Sequence, residues 1–217
     1  ILIKIIKKLI SQNKPDINSN SLVKQLMSIG DDAAIWSDAS TNYCITTDSM
    51  IENVHFDKQF TSWQDLGWKA IAVNQSDIAA MGFNPLYSVD SIAVTGYLGN
   101  SSAGFDILKK SHDLEEKIIK YLSKSHLRPK PKVQTGIELC DNGIKSAIDV
   151  SDGLLQDITR ICKSSNVGAK IEANKMPVHK YLKKAFPNNW LNYAMNGGED
   201  YEILFTGPSD LIQKISQ

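Results

Sequence analysis

Arginine is nearly missing from this chain: Arg128 and Arg160 are the only two among 24 basic residues. Nucleic-acid readers lean on arginine forks for base and phosphate contacts, so the composition argues against that class. Net charge is missing as well. The 24 acidic residues balance the 24 basic ones, and no global basic field invites nucleic acid or an anionic membrane. Cysteines are few, odd in number and far apart (Cys44, Cys140 and Cys162), with no C-x-x-C pair. That excludes a disulfide framework and a cysteine zinc site, and points to a reducing, cytoplasmic setting. No apolar run approaches the ~20 residues a bilayer span requires. Neither G-x-x-x-x-G-K-[ST] nor G-x-G-x-x-G occurs, and no Ser–His–Asp set or Cys–His pair stands out around the four scattered histidines.

Carboxylates in unusual places are what the chain does have. Gly30 to His55, GDDAAIWSDASTNYCITTDSMIENVH, puts Asp31 and Asp32 just after a glycine. A strand is expected over Tyr43–Thr47; it ends in Asp48, and His55 follows seven positions on. Acidic side chains gathered at strand ends repel one another unless a cation sits between them. Hard oxygen ligands of this kind suit Mg²⁺ best.

Ile1–Ile10 has its apolar residues at a helical period and lacks the small-residue cleavage site of a signal peptide, so it reads as an amphipathic helix. The chain opens without a methionine, and a natural N-terminus upstream of Ile1 is expected. A second helix is expected from a capping box, with Ser62 as N-cap and Asp65 three residues later, to about Met81, with Gly82 as C-cap and Pro85 beyond. Asp77 falls there on a stripe of small residues (Ala70, Val73 or Asn74, Ala80 or Met81), where another backbone can approach closely. A carboxylate on such a face needs a partner.

SIAVTGYLGNSSAG (91–104) reads as strand, glycine turn and helix start, with Asn100 or Ser101 as N-cap. Such a turn can cradle phosphate on its N–H groups, and is equally an ordinary strand-to-helix connection. Helical segments follow to about Leu127 and end at Pro129 and Pro131. In AIDVSDGLLQDITRI (147–161) Asp149 interrupts an apolar strand, and Asp152 or Ser151 is the expected helix N-cap. Asp149 and Asp152 thus sit at the carboxyl end of a strand, where α/β sheets place ligands. Asn196–Glu202, NGGEDYE, precedes the strand Ile203–Thr206 and reads either as a tight turn aiming Glu199 and Asp200 at a site or as a solvated hairpin.

These pieces describe an α/β protein with aspartates at strand ends and helix starts, the equipment of magnesium-dependent phosphate chemistry. The residues also carry a resemblance. GDDAA (30–34), TTDSMIENVHF (46–56), KAIAVNQSDIAAMGFNP (69–85), VTGYLGNSSAG (94–104), HLRPKP (126–131), AIDVSDGL (147–154) and GGEDYEILFT (197–206) together resemble thiamine-monophosphate kinase, in the family's order and over most of the chain. The resemblance implies the aminoimidazole-ribonucleotide-synthetase-like fold: α/β with α+β mixed sheets, in two domains. An N-terminal metal- and ATP-binding domain (1–88) would form a barrel-like sheet across a homodimer, and an α/β domain (89–217) would cover the nucleotide. It implies ATP- and Mg²⁺-dependent phosphorylation of thiamine monophosphate to thiamine diphosphate. By it, Asp32, Thr46, Thr47, Asp48, Asp77 and Asp149 hold magnesium ions and Asp152 holds a further one. Ser151 faces ATP, and His55 and Glu199 contact thiamine monophosphate. Asp31 supports the loop or a nucleotide contact, outside the metal set.

A phosphate monoester is already largely unprotonated at neutral pH, with its second pKa near ~6, so the acceptor needs no strong base. It needs relief from charge repulsion as it meets the γ-phosphate in line, and direct transfer without a phospho-enzyme is expected. The chain also departs from the family. It runs from Tyr87 to Asp90 without the segment that carries a Gly-Gly-Asp-Thr motif and a basic loop for ATP and metal, and it stops soon after Phe205. That segment is expected in the gene-encoded sequence. The alternatives are another ATP-dependent enzyme of the superfamily, such as a selenophosphate synthetase or purine-pathway ligase, and a non-catalytic divalent-ion-binding module. A selenophosphate synthetase wants a reactive cysteine in a glycine-rich N-terminal segment, whereas Cys44 falls inside the apolar strand.

Overall fold

The computed structural model describes residues 24–27, 34–37, 42–80 and 91–216. The chain divides into two compact units, Ile1–Thr47 and Asp48–Gln217. The expected helix Ile1–Ile10, Asp31, Asp32, the Gly82 C-cap and the expected domain break near residues 88–90 all lie outside the described residues.

In the first unit, β1 (Lys24–Met27), β2 (Ala34–Ser37) and β3 (Asn42–Ile45) form a three-stranded antiparallel sheet in chain order. β2 and β3 pair Trp36 with Tyr43 and Ile35 with Cys44. The aromatic and β-branched residues of these runs suit a pleated surface, which is why the strand expected over Tyr43–Thr47 forms, starting one residue earlier and ending two residues earlier.

The second unit begins with a turn around residues 52–56 and then α1 (Trp63–Ala80). Ser62 caps α1 as expected: its hydroxyl accepts from the Asp65 N–H at 3.1 Å and donates to the Asp65 carboxylate at 2.7 Å. Next come β4 (Ser91–Val94), α2 (Asn100–Lys109), α3 (Glu116–Leu127), α4 (Val133–Asp141) and β5 (Ser146–Asp149). After them come α5 (Leu154–Ser165), a 3₁₀ turn (Ala173–Lys175), α6 (Lys180–Ala185), α7 (Trp190–Asn196), β6 (Ile203–Gly207) and α8 (Ser209–Ile215).

The sheet order is β4-β6-β5, antiparallel throughout, with the wholly buried β6 in the centre. The period-two alternation of β6 feeds two cores. Ile203 and Phe205 pack with Ala79, Leu139 and Ile144, while Leu204 packs with Leu98, Val150, Leu154, Ile158 and Ala194. A third cluster (Ala103, Ile107, Ile118, Leu122 and Leu182) joins α2, α3 and α6. The small residues of α1 serve close approach, as expected: a Cβ placed at Gly136 of α4 would come within 2.5 Å of the Ala79 carbonyl oxygen. The buried face of α1 carries Lys69, Ala72, Val73, Ser76, Ala79 and Ala80, and Asp77 is half-buried.

Candidate active site

The site grows from the place where the pairing of β5 and β6 continues beyond both strands. Val150 N–H donates to Glu202 O at 2.8 Å, Tyr201 N–H to Val150 O at 2.9 Å, and Glu199 N–H to Ser151 O at 2.7 Å. The Asp149–Asp152 loop and the Gly-Gly-Glu-Asp-Tyr turn are thereby zipped together. Glu199 (φ 65°) and Tyr201 (φ 50°) both sit in the left-handed region, which costs a side-chain-bearing residue about 1–2 kcal/mol. Gly198 permits the close approach, since a Cβ there would meet Ser151 O at 2.6 Å.

This backbone sends Glu199 and Tyr201 one way. The phenol of Tyr201, 5% exposed, is pushed well above its usual range by burial and then by the charges of Glu199, Asp48, Asp149 and Asp77. It therefore stays protonated and uncharged within reach of four carboxylates. Asp149 is buried and accepts from the Ser76 hydroxyl at 2.8 Å. Asp48 donates its N–H to Asn74 Oδ1 at 3.0 Å, which fixes the chain's entry to the site on α1. Burial raises the Asp48 carboxyl, the charge of His55 lowers it, and Asp152 raises it again. His55 is held by its own turn: its Nδ1 accepts from the Ile51 N–H at 3.0 Å, which assigns the ring proton of the neutral form to Nε2.

Of the residues expected at the site, the structure sets Asp48, Asp77, Asp149 and Glu199 within electrostatic reach of Tyr201, and His55 and Asp152 within electrostatic reach of Asp48. Ser151 is half-buried beside them, its carbonyl taken by Glu199. Asp152 is exposed and pairs with Arg160 and Gln156. Thr46, half-buried, and Thr47, exposed, lie in the extended chain of the first unit. Asp32 lies outside the described residues.

Both expected helix N-caps of this region are corrected. The N–H groups at the start of α2 are not open to a phosphate: the Asp200 carboxylate accepts from Gly99 N–H at 2.5 Å and Ser101 N–H at 3.0 Å, so of the two readings of this turn the strand-to-helix connection is the one seen there. Gly99, at φ 82°, is the N-cap of α2 in place of Asn100 or Ser101, and Asp200 supplies its anion. Asp200 therefore does not join Glu199. Likewise neither Ser151 nor Asp152 caps α5. Gly153 holds the cap position, and the fully buried Asp157 reaches back to accept from the N–H groups of Asp152 and Gly153 at 3.2 and 3.1 Å. Burial and then the charge of Asp152 push Asp157 up to about 6.

Sequence reasoning missed Lys69, Ser76, His126 and Tyr201. Lys69 left a signal: a lysine one helical turn before Val73 and two before Ser76, on the stripe of small residues. Its ammonium, 1% exposed, donates to His55 O at 2.7 Å and Glu199 Oε2 at 2.9 Å. His126 Nδ1 lies 3.3 Å from the same Glu199 oxygen, and burial followed by the charge of Lys69 pushes this imidazole down to about 3. It is neutral at physiological pH.

The donor set is one of oxygens, and its like charges oppose one another, which fits a hard divalent cation. Among the described residues no three His, Cys, Asp or Glu side chains stand close enough to enclose one metal ion.

Comparison with known proteins agrees. Models of AIR synthase related proteins match, the N-terminal domain over residues 30–112 and the C-terminal domain over residues 90–210. The thiamine-monophosphate kinase of Buchnera aphidicola from Schizaphis graminum is 33% identical, covering 88% of this chain and 80% of that protein. The chain belongs to the thiamine-monophosphate kinase family. The kinase of the Buchnera strain from Acyrthosiphon pisum, 32% identical, covers 98% of this chain and 84% of its own length. That alignment extends over 281 residues, more than this chain's 217, so the relative carries residues this chain does not. Among solved structures, AaThiL complexed with AMPPCP and TMP superposes with a TM-score of 0.79 at 26% identity, covering 97% of this chain and 85% of that one. The kinase from Stenotrophomonas maltophilia, at 24% identity and a TM-score of 0.73, shares the fold. The two-domain AIR-synthase-like fold expected from the motifs is thereby the fold of this chain.

Proposed function

We propose that this member of the thiamine-monophosphate kinase family transfers the γ-phosphoryl group of ATP to the phosphate of thiamine monophosphate, forming thiamine diphosphate. The observation that carries the reading is the set of carboxylates, Asp48, Asp77 and Asp149, whose charges all act on the buried Tyr201, in a chain of this family. The related AaThiL, complexed with AMPPCP and TMP, supports ATP and thiamine monophosphate as the two substrates.

In this reading Asp48, Asp77, Asp149 and Asp152 hold magnesium, together with Asp32, Thr46 and Thr47 by the family motifs. Bound Mg²⁺ supplies neutralisation of the phosphate oxygens. Tyr201, kept protonated, adds no charge of its own to the carboxylate group. Asp149 is held in one orientation by Ser76, and Asp48 is tied to α1 through Asn74. Ser151 faces ATP; His55 and Glu199 orient thiamine monophosphate. No described side chain acts as a base, in keeping with an acceptor oxygen that is already ionised.

Further parts of the proposal concern assembly and place. The division into domains 1–88 and 89–217 is supported by the C-terminal family model, which begins at residue 90. A homodimer is supported by the edges of the β1-β2-β3 sheet, which no strand covers among the described residues, and, on α1, by the exposed Trp63 and Ile71. The cytoplasm is the compartment that suits an ATP-dependent enzyme with the free thiols Cys140 and Cys162.

Incubation with γ-labelled ATP, Mg²⁺ and thiamine monophosphate tests the reading. Label is expected in thiamine diphosphate, lost with EDTA and restored by magnesium. Label on a different acceptor would overturn the kinase assignment, and magnesium binding without any transfer would favour a non-catalytic ion-binding module.

A further inference from the structure

Lys69 has no role in the reaction as described so far, yet it is among the largest fully buried side chains of the molecule. A lysine that leaves water must find acceptors for its ammonium, and the desolvation is strongly unfavourable otherwise. This one has two, and they belong to the two groups assigned to thiamine monophosphate. It donates to the backbone carbonyl of His55 at 2.7 Å and to Glu199 Oε2 at 2.9 Å. One ammonium therefore ties the His55 turn to the Glu199 turn, from a helix that belongs to neither.

The rest of the pocket around Glu199 is asymmetric. Oε2 has Lys69 and, at 3.3 Å, His126 Nδ1, which in turn lies 3.2 Å from the Ser101 hydroxyl. Oε1 is buried and has no hydrogen-bond partner. A buried carboxylate oxygen left without a donor is unfavourable, and a ligand N–H returns that cost on binding. His126 is neutral and its ring lies against Phe105, with centroids 4.9 Å apart, so Lys69 is the cation that compensates the Glu199 charge.

We propose that Lys69 is a positioning residue for the acceptor substrate: by gripping Glu199 Oε2 and the His55 carbonyl together, it presents Glu199 Oε1 to a ring amino group of thiamine monophosphate. This rests on the reading above that His55 and Glu199 contact that substrate. Lys69 touches no reacting atom and acts through Glu199.

The test is a double-mutant cycle read as the KM for each substrate, kcat, and the equilibrium binding of thiamine monophosphate without ATP. Lys69→Met is expected to raise the KM and Kd for thiamine monophosphate about 10- to 100-fold, with the ATP KM unchanged. Lys69→Gln, still able to donate one N–H, should fall between wild type and Met, and it decides the matter by itself if the methionine variant does not fold. In a Glu199→Gln background, replacing Lys69 should add little. Equal losses toward ATP and thiamine monophosphate, additive effects in the double variant, or wild-type affinity in folded Lys69→Gln would each overturn the proposal. Wild-type affinity in Glu199→Gln alone would instead overturn the assignment of Glu199 to the substrate.

Discussion

The second unit contains two strand-to-helix turns that look alike in sequence and do different work. The β4–α2 turn, Thr95–Gly99, and the β5–α5 turn, Val150–Gly153, each end in a glycine just before a helix. The first is closed by the protein's own anion, because Asp200 occupies the N–H groups of Gly99 and Ser101. The second is closed from within its helix by Asp157, which leaves Asp149 and Asp152 outside the cap. A helix N-terminus attracts an anion wherever it is found. Whether it serves a ligand depends on whether a carboxylate from elsewhere in the chain already fills it. On this contrast the first turn is structural, and the second, whose Asp149 and Asp152 side chains stay outside the cap, is the one proposed to hold magnesium.

The largest effect that tests this contrast is at the second turn. Asp149→Asn, and Asp48→Asn beside it, should lower kcat by about a thousandfold or more while thermal unfolding shows an intact fold. Near-normal turnover in either variant would remove that residue from the metal site. At the first turn the loss should appear in stability instead. Asp200→Ala strips the acceptor from two N–H groups and is expected to destabilise the unit by about 2–4 kcal/mol in urea titration, while the folded fraction keeps its kcat. A collapse of kcat without loss of stability would reverse the roles of the two turns.

Where the turns meet, Gly198→Ala pushes a methyl against Ser151 O and is expected to cost about 1–3 kcal/mol, together with part of the activity, since the same contact aligns Ser151 and Glu199. The smallest effect concerns pH. Burial pushes Asp200 up to about 7 from an ordinary value of 3.8. Through that window the folded state holds the proton more tightly than the unfolded chain. Asp200 therefore contributes stability that is present at low pH and lost as pH rises toward 7. Asp200→Asn should flatten this part of the stability–pH curve, measured by thermal unfolding between pH 4 and 8. An unchanged slope would mean that the carboxylate is better solvated than its enclosure implies.

Much of the site could be read directly. Asp149 stood out because it ends an apolar strand, Asp77 because it lies on a helical stripe of small residues, and the Ser62 cap because its Asp65 partner is three positions away. Each of these signals is local, carried by a period or a spacing. The roles of neighbouring acids were not legible. Glu199 and Asp200 are adjacent in sequence, yet one faces Lys69 and the other the N-terminus of α2, because successive side chains in this turn point to opposite sides. Nothing local marks Asp157, whose role rests on its burial and its two backbone donors.

The sequence by itself determined the inventory and its local frame: an excess of aspartates at strand ends, an all-oxygen donor set that suits magnesium, and motifs specific enough to identify the kinase family. Only the tertiary structure decided which carboxylate faces which partner. Asp149 meets Ser76 across 73 positions, and Glu199 meets Lys69 across 130. Local propensity carries no information over such separations. Those pairings arise when β6 docks between β4 and β5 and the helices close over it, because only then does burial force each charge to find its partner.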